Sequence, residues 1–193
     1  GSGATLTGRA AMSFVQPLWR RLIARLRFHW RSHVGTLLLV LAVLAGAHLW
    51  QTRHVPSGPV PDLPLLLSTG ESTTLSAWRA RHPGQPVALH VWAEWCPICR
   101  AEEHNITRLQ TDWPVLTVAM QSGGAAQVQR VLDQRSLPWA TVVDDSGALA
   151  RRLGVQSVPA LLVLDAQGHL RAASVGYTSE IGMRLRLWWA KLV

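Results

Sequence analysis

Short apolar runs and helix-spaced segments alternate over the C-terminal two thirds of the chain. Apolar runs typical of buried strands cover residues 87–92, 115–120 and 140–143. Apolar residues at helical spacing predict helices at 72–81, 97–110, 125–135, 146–153 and 178–192. Two further runs, 160–164 and 170–175, flank a polar turn and predict a hairpin. This order predicts an α/β domain over residues 62–193, with a mixed central sheet flanked by helices.

A longer uncharged stretch lies nearer the N-terminus. Residues 34–50 carry no charged side chain, and this length is at the short end of what crosses a hydrocarbon core of about 30 Å. Six arginines and no acidic residue precede residue 34, whereas Arg53 is the only arginine shortly after the stretch. The positive-inside rule then predicts a single transmembrane helix with a cytoplasmic N-terminus and an exported C-terminal part. A cleaved signal peptide is the alternative, because residues 45–47 resemble a cleavage site.

The net charge of +8 reports mainly this basic arm, residues 1–33. After it, 13 basic residues face 11 acidic ones, so the composition does not indicate a nucleic-acid binder. Residues 1–11 begin Gly-Ser-Gly and are set aside as a possible expression remnant. Residues 51–61 contain three prolines and predict a tether reaching about 34 Å between the anchor and the domain.

The only two cysteines, Cys96 and Cys99, stand three residues apart between a predicted strand and a predicted helix. A thiolate at a helix N-terminus is stabilised by unpaired backbone N–H groups and by the helix dipole. We therefore expect Cys96 to attack a disulfide and Cys99 to resolve the product. Two alternatives remain at this stage: a purely structural disulfide, and a pair of thiols that binds Cu(I). No ligand spacing predicts a zinc or other metal site, and thiol exchange requires no cofactor.

The segment Trp92-Ala93-Glu94-Trp95-Cys96-x-x-Cys99 resembles the active-site signature of the thioredoxin superfamily. The resemblance covers residues 62–193 and implies a thioredoxin-like fold and protein-disulfide oxidoreductase activity. It also implies that Val158-Pro159 is the family's cis-proline loop, which packs against the cysteine pair and binds the partner peptide. Trp95, Pro97 and Ile98 border the nucleophile and are the other predicted substrate-binding residues.

Finer motifs resemble the membrane-tethered TlpA-like branch, which includes the cytochrome c maturation thioredoxins. Within it, residues 91–100, 120–123, 176–178 and 184–190 look closest to the suppressor-of-copper-sensitivity protein D group. This resemblance implies exported cysteine-containing partners, a periplasmic domain on the inner membrane, and a membrane electron-transfer partner that recharges a reductase. Copper tolerance and cytochrome c maturation are the alternative functions.

One position departs from the superfamily pattern. Thioredoxins carry a buried Asp six residues before the first cysteine, and this chain has His90 there. We hypothesise that His90 or Glu94 assists proton transfer to Cys99; a hydrogen-bonded core histidine is the alternative. Arg100, Glu102 and Glu103 are predicted to form a solvated helix face. The last helix is predicted to cover the sheet, and contact of its Arg and Trp residues with lipid headgroups is the alternative.

Overall fold

The computed structural model describes residues 33–47 and 58–192, so most of the predicted arm and tether lies outside the described residues. The chain divides into two compact units after Ala47. The first contains helix α1, described over residues 33–47 with exposed side chains. In the described ranges, no helix is both long enough and apolar enough to cross a membrane. The predicted span 34–50 continues past residue 47 into residues that are not described.

The second unit contains the described strands and the remaining helices. The strands are β1 (Gly58–Pro59), β2 (Pro64–Leu66), β3 (Ser72–Thr74), β4 (Val87–Trp92), β5 (Val115–Met120), β6 (Thr141–Asp144), β7 (Ala160–Leu164) and β8 (His169–Val175). The helices are α2 (Leu75–Ala80), α3 (Pro97–Leu109), α4 (Ala125–Gln134), α5 (Ala148–Arg152) and α6 (Glu180–Leu192).

Six strands form one mixed sheet in the order β1-β8-β7-β4-β5-β6. The neighbours β4, β5 and β6 run parallel, whereas β7 is antiparallel to both β4 and β8. The central strands β4, β5 and β7 are buried along their whole length, as expected for strands covered on both faces. This is the predicted thioredoxin-like arrangement of a mixed sheet flanked by helices.

Each face of the sheet has its own hydrophobic core. On one face, Val87, Leu89 and Val91 of β4 pack with buried residues of the β2–β3 segment, α2 and α5. On the other face, Ala88 and Trp92 pack with buried residues of α3, α4 and α6. The period of two along β4 therefore places His90 on the same face as α3 and α6.

The N-terminal part of the domain differs from the sequence prediction. Gly58–Pro59 pairs with β8, so the sheet begins within the segment predicted as a tether. Residues 72–74 pair with β2 instead of beginning a helix, and α2 begins only after Thr74, whose side chain caps it by accepting the N–H of Ala77. An N-cap threonine adopts extended backbone, which is compatible with the end of a strand.

Candidate redox active site

Cys96 lies where the central strand β4 passes into helix α3. It is the N-cap of α3, and its Sγ accepts the backbone N–H of Cys99 at 3.1 Å. Pro97 follows in the first turn of the helix, where its missing N–H leaves no bond unmade. The N–H groups at this helix end stabilise negative charge on the Cys96 sulfur, as the sequence predicts.

The two cysteines form a disulfide, with their Cα atoms 5.3 Å apart. Cys96 is 5% exposed and Cys99 is 2% exposed. Solvent exposure alone therefore distinguishes the two sulfurs only slightly as targets for a partner. Of the two sulfurs, only that of Cys96 is held at the helix N-terminus by the hydrogen bond described above. The geometry therefore gives the two cysteines different electrostatic environments within one turn of helix.

The loop before β7 lies against the pair. The Val158–Pro159 peptide bond is cis, as the resemblance implied. The Cys96 Sγ lies 3.8 Å from the carbonyl oxygen of Val158. This proximity follows from the sheet, because β7 begins at Ala160, which pairs with Val91 near the end of β4.

An exposed apolar rim surrounds the buried disulfide. Trp95 is 57% exposed and Ile98 is 52% exposed, and Pro97 between the cysteines is also exposed. The indole N–H of Trp95 donates to the carbonyl of Gln121 at 3.1 Å, which fixes the ring at the rim. Large exposed apolar side chains beside a reactive group are typical of a surface that docks another protein.

Glu102 is the site residue that sequence reasoning missed. It is 1% exposed, and it belongs to the buried face of α3 with Cys99, Ile106 and Leu109. One carboxylate oxygen accepts the backbone N–H of Thr178. Burial raises the pKa of Glu102 to about 7, and the hydrogen bond from Thr178 opposes this rise. The prediction of a solvated position for Glu102 was therefore wrong.

The neighbours of Glu102 on α3 behave differently. Arg100 is exposed, as predicted. Glu103 is partly buried and forms an ion pair at 2.8 Å with Arg135, the residue that follows α4. The spacing of 99, 102, 106 and 109 was the signal available in the sequence, because these positions share one helix face.

His90 faces Glu102 across the interior. Its Nδ1 lies 4.0 Å from the Oε2 of Glu102, and its ring meets the edge of Trp139 at 6.2 Å between centroids. Neither ring nitrogen has a hydrogen-bond partner among the described residues. Burial lowers the pKa of His90 to about 3, so the ring is neutral near pH 7 and its contact with Glu102 is not an ion pair. The alternative of a hydrogen-bonded core histidine does not describe this ring.

Glu94, the other predicted proton-transfer residue, is directed to helix α4. Its carboxylate accepts from the side-chain amide of Gln127 at 3.2 Å. Its own backbone N–H and carbonyl bond Ser122 and Arg135. The structure thus brings His90 to Glu102, while the carboxylate of Glu94 bonds elsewhere. In the described ranges, no three His, Cys, Asp or Glu side chains are grouped to hold a metal ion.

The family profile of AhpC/TSA proteins matches residues 56–173, which is more than half of the chain. The chain belongs to the AhpC/TSA family. Within the thioredoxin superfamily it is a thioredoxin-like protein-disulfide oxidoreductase, and its redox disulfide is Cys96–Cys99.

Individual relatives agree with this assignment. The thiol:disulfide interchange protein DsbE of Pseudomonas aeruginosa is 28% identical over 152 residues, covering 75% of this chain and 82% of that protein. A thioredoxin-like protein of Haemophilus influenzae is 31% identical over 108 residues, which are 55% of this chain and just under two thirds, 64%, of that protein. The crystal structure of a putative DsbE from Chlorobium tepidum superposes with a TM-score of 0.62 at 23% identity, covering 71% of this chain and 99% of the other, and supports the fold.

Proposed function

We propose that this oxidoreductase is anchored in the inner membrane and reduces disulfides of exported proteins in the periplasm. The observation that carries the proposal is the Cys96–Cys99 disulfide at the start of α3, beside the Val158 carbonyl and under an exposed rim of Trp95 and Ile98. A buried pair below an apolar rim suits reaction with a docked protein better than reaction with a small thiol.

The exchange proceeds in two balanced steps. In the reduced protein, the Cys96 thiolate attacks one sulfur of a partner disulfide, and the partner's other sulfur leaves as a thiolate and takes up a proton. Cys99 then loses its proton and attacks the Cys96 sulfur, which releases the second partner thiol and forms Cys96–Cys99. Two electrons pass to the partner, and the protein is left oxidised. Val158 and Pro159 line this site, and Val158 offers its backbone groups to the docked peptide, because Pro159 has no N–H and its carbonyl accepts the N–H of Gly176.

Glu102 is the proposed acceptor of the Cys99 proton. It lies three residues after Cys99 on the same buried helix face. With a pKa of about 7 it exists in both protonation states at neutral pH, which suits a group that accepts and returns a proton. Neutral His90, 4.0 Å from the Glu102 carboxylate, is the proposed positioning residue, and this retains the His90 half of the sequence hypothesis in preference to Glu94.

Membrane anchoring rests on the sequence of the N-terminal region. The uncharged stretch 34–50 follows six arginines and precedes the domain, which supports a single span with the N-terminus in the cytoplasm. Assignment to the TlpA-like branch, and within it to the suppressor-of-copper-sensitivity protein D group, rests on the sequence motifs and stays part of this proposal. A role in cytochrome c maturation is the alternative within the same branch.

The direction of electron flow is tested by the resting redox state of the pair in cells. Trapping free thiols with a maleimide of high mass separates the dithiol from the disulfide on a gel. A reductase recharged by a membrane electron donor is held mainly as the dithiol. Recovery mainly as the disulfide in growing cells would instead support an oxidase.

Cu(I) binding by the two thiols is the proposal of a different class that the sequence left open. Reduced protein with Cu(I) and competing glutathione provides the test. Stoichiometric copper retained by the wild type, together with no reduction of insulin, would replace the exchange proposal with a copper-delivery role.

A further inference from the structure

The outward face of α6 is apolar, although it lies at the protein surface. The inward face packs Met183, Leu187 and Ala190 into the core shared with α3. On the opposite side, large apolar residues follow one another at spacings of four, three and four and are 55–75% exposed: Ile181, Leu185, Trp188 and Leu192. Trp189 borders this row and is 59% exposed. An exposed apolar stripe of this kind marks a surface that contacts another apolar phase or partner.

Positive charge borders the stripe. Lys191 lies on one side, with its Nζ 5.8 Å from the centre of the Trp188 ring. Arg186 lies on the other side and has no ion pair among the described residues. Arg184 is already engaged by Asp112 and Glu180. Arg186 also donates to the carbonyl oxygen of Gly182 on its own helix at 2.8 Å. The stripe therefore has a cation on each margin that no described carboxylate neutralises.

A cavity of about 440 Å³ opens beside the stripe, at the C-terminal half of α6. Trp113 and Trp188 line it with their rings edge to face at 6.1 Å, and Arg184 and Lys191 line it with Asp112. Gln85 and Pro86, which precede β4, complete the wall. Because Arg184 is paired with Asp112, the Lys191 ammonium group is the cation of this cavity available to a lipid phosphate, and the two indole rings suit the glycerol carbons beside it.

The cavity and the C-terminal half of the stripe lie at the end of the sheet opposite the cysteines. Pro86 immediately precedes Val87, the first residue of β4, whereas Cys96 follows the last, about 17 Å along the strand direction. The chain enters the domain at the same end of the sheet. Gly58 of β1 pairs with Leu170 of β8, Leu170 pairs with Leu164 of β7, and Leu164 pairs with Val87, the first residue of β4. The ten residues 48–57 before Gly58 reach at most about 31 Å in an extended polyproline geometry.

We propose that this face of α6 docks on the phospholipid bilayer, with Trp188 and Trp189 at the level of the headgroups. Arg186 and Lys191 then meet lipid phosphates, and the Cys96–Cys99 pair lies at the end of the domain remote from Trp188, where it stays accessible to partners. The inference rests on the proposed membrane anchoring, which holds the entry end of the domain near the bilayer. A second copy of the chain is the less suitable occupant, because a two-fold contact through this stripe brings its cationic margins together.

The test uses the full chain reconstituted in vesicles of phosphatidylethanolamine and phosphatidylglycerol whose acyl chains are brominated near the headgroup. Bromine quenches only tryptophans that reach the membrane. We expect W188F/W189F to lose part of the quenchable emission, and W95F to lose none. Trp95 is the matched control because it is 57% exposed at the opposite end of the domain. R186E/K191E, which keeps both tryptophans, is expected to reduce the same quenching.

Aqueous acrylamide distinguishes the other occupants. Equal bromine quenching in wild type and W188F/W189F, with both indoles open to acrylamide, would overturn the proposal because the face would then be in water. Protection of these indoles from both quenchers would overturn it in favour of a protein neighbour. Flotation and insulin reduction by the same vesicles separate the two claims: a chain that floats and reduces insulin but shows no difference in bromine quenching refutes only the α6 docking. A chain that fails to float removes the anchoring and the docking together.

Discussion

Helices α3 and α6 lie on the same face of the sheet, share one hydrophobic core and have thirteen residues each, yet they depart from ordinary helix patterning in opposite ways. The buried face of α3 includes a carboxyl group, Glu102, between Cys99 and Ile106. The buried face of α6 is entirely apolar, but its outer face exposes Trp188 and other large apolar residues.

The difference shows that the two departures serve different purposes. A buried carboxyl group is unfavourable unless its hydrogen bonds are made, and Glu102 has one from Thr178 together with the neutral ring of His90 nearby. That arrangement holds the pKa of Glu102 at about 7, which suits the proton acceptor that we propose for Cys99. The exposed stripe of α6 contains no ionisable group and suits contact with another apolar phase. Departures from consistent patterning are expected at functional sites, which is why we propose a role for each of these two helix faces.

The largest expected effect is a difference in stability between substitutions on the two faces of α6. Leu187→Ala removes a fully buried side chain and is expected to lower the free energy of unfolding of the domain by about 3 kcal/mol. Leu185→Ala, on the 64% exposed outer face, is expected to change it by less than about 0.5 kcal/mol. Urea unfolding of both variants measures the contrast. A comparable loss in Leu185→Ala would mean that the outer face is packed against protein in the free molecule.

The next effect concerns the chemistry of α3. Glu102→Gln keeps the shape of the side chain but cannot accept the Cys99 proton, so release of partner from the mixed disulfide is expected to slow by at least about 10-fold near pH 7. Stopped-flow measurement of that step across pH 6–8 should also show a flatter profile. The control Glu103→Gln, on the adjacent position paired with Arg135, should keep the wild-type profile. Equal rates in wild type and Glu102→Gln would remove Glu102 from the mechanism.

Burial of Glu102 also predicts a dependence of stability on pH. Its pKa is raised from 4.5 to about 7 in the folded protein, so the folded state keeps a proton that the unfolded state has lost between these values. The Glu102 contribution to the free energy of unfolding is full below pH 4.5 and declines as pH rises through 7. The difference between wild type and Glu102→Gln should follow this course in denaturation series. A difference that is constant from pH 4.5 to 7.5 would contradict the raised pKa.

Burial of neutral His90 predicts that the free energy of unfolding rises with pH, in a lower pH range than the effect of Glu102. The pKa of His90 is lowered from 6.5 to about 3, so the unfolded state binds a proton below pH 6.5 that the folded state does not. Its contribution is full above pH 6.5 and is lost as pH falls towards 3. Comparing wild type with His90→Leu between pH 4 and 7 isolates it. If the ring carbons of His90 titrate near pH 6.5 in NMR spectra, the buried neutral ring is incorrect.

The smallest effect is expected at Glu94. Because its carboxylate bonds Gln127 of α4, Glu94→Gln should leave the exchange rate within about two-fold of wild type. The same stopped-flow assay measures it. If Glu94→Gln slows exchange as much as Glu102→Gln does, proton transfer does not depend on Glu102 in preference to Glu94.

The sequence predicted the parts of this fold that depend on local patterning. The buried strand 87–92 and the helix from Pro97 were predictable because apolar runs and a proline at the first helical turn are local signals, and the cysteine motif identified the site. Strands β1, β2 and β3 were missed, since each has only two or three residues and is defined by pairing. Gly58 of β1 pairs with Leu170, more than one hundred residues away. Local periodicity contains no such information.

The burial of Glu102 was not predicted from the sequence for a different reason. A glutamate among charged neighbours on a helix reads as solvated, because burial of a carboxyl group is rare. Its helix face, shared with Cys99 and Ile106, indicated burial. The N–H that makes burial of the carboxylate tolerable comes from Thr178, which is 76 residues away in the sequence. His90 was singled out because it departs from a family pattern, and only the fold brings it to Glu102.

In the exchange that we propose, Cys96 attacks and Cys99 releases the partner. The most direct measurement compares Cys99→Ala with Cys96→Ala in cells, by trapping mixed disulfides with acid and analysing them on non-reducing gels and by mass spectrometry. We expect Cys99→Ala to accumulate exported proteins bound through Cys96, which reducing agent releases, and Cys96→Ala to accumulate almost none. Equal capture by both variants, or capture through Cys99 alone, would contradict it.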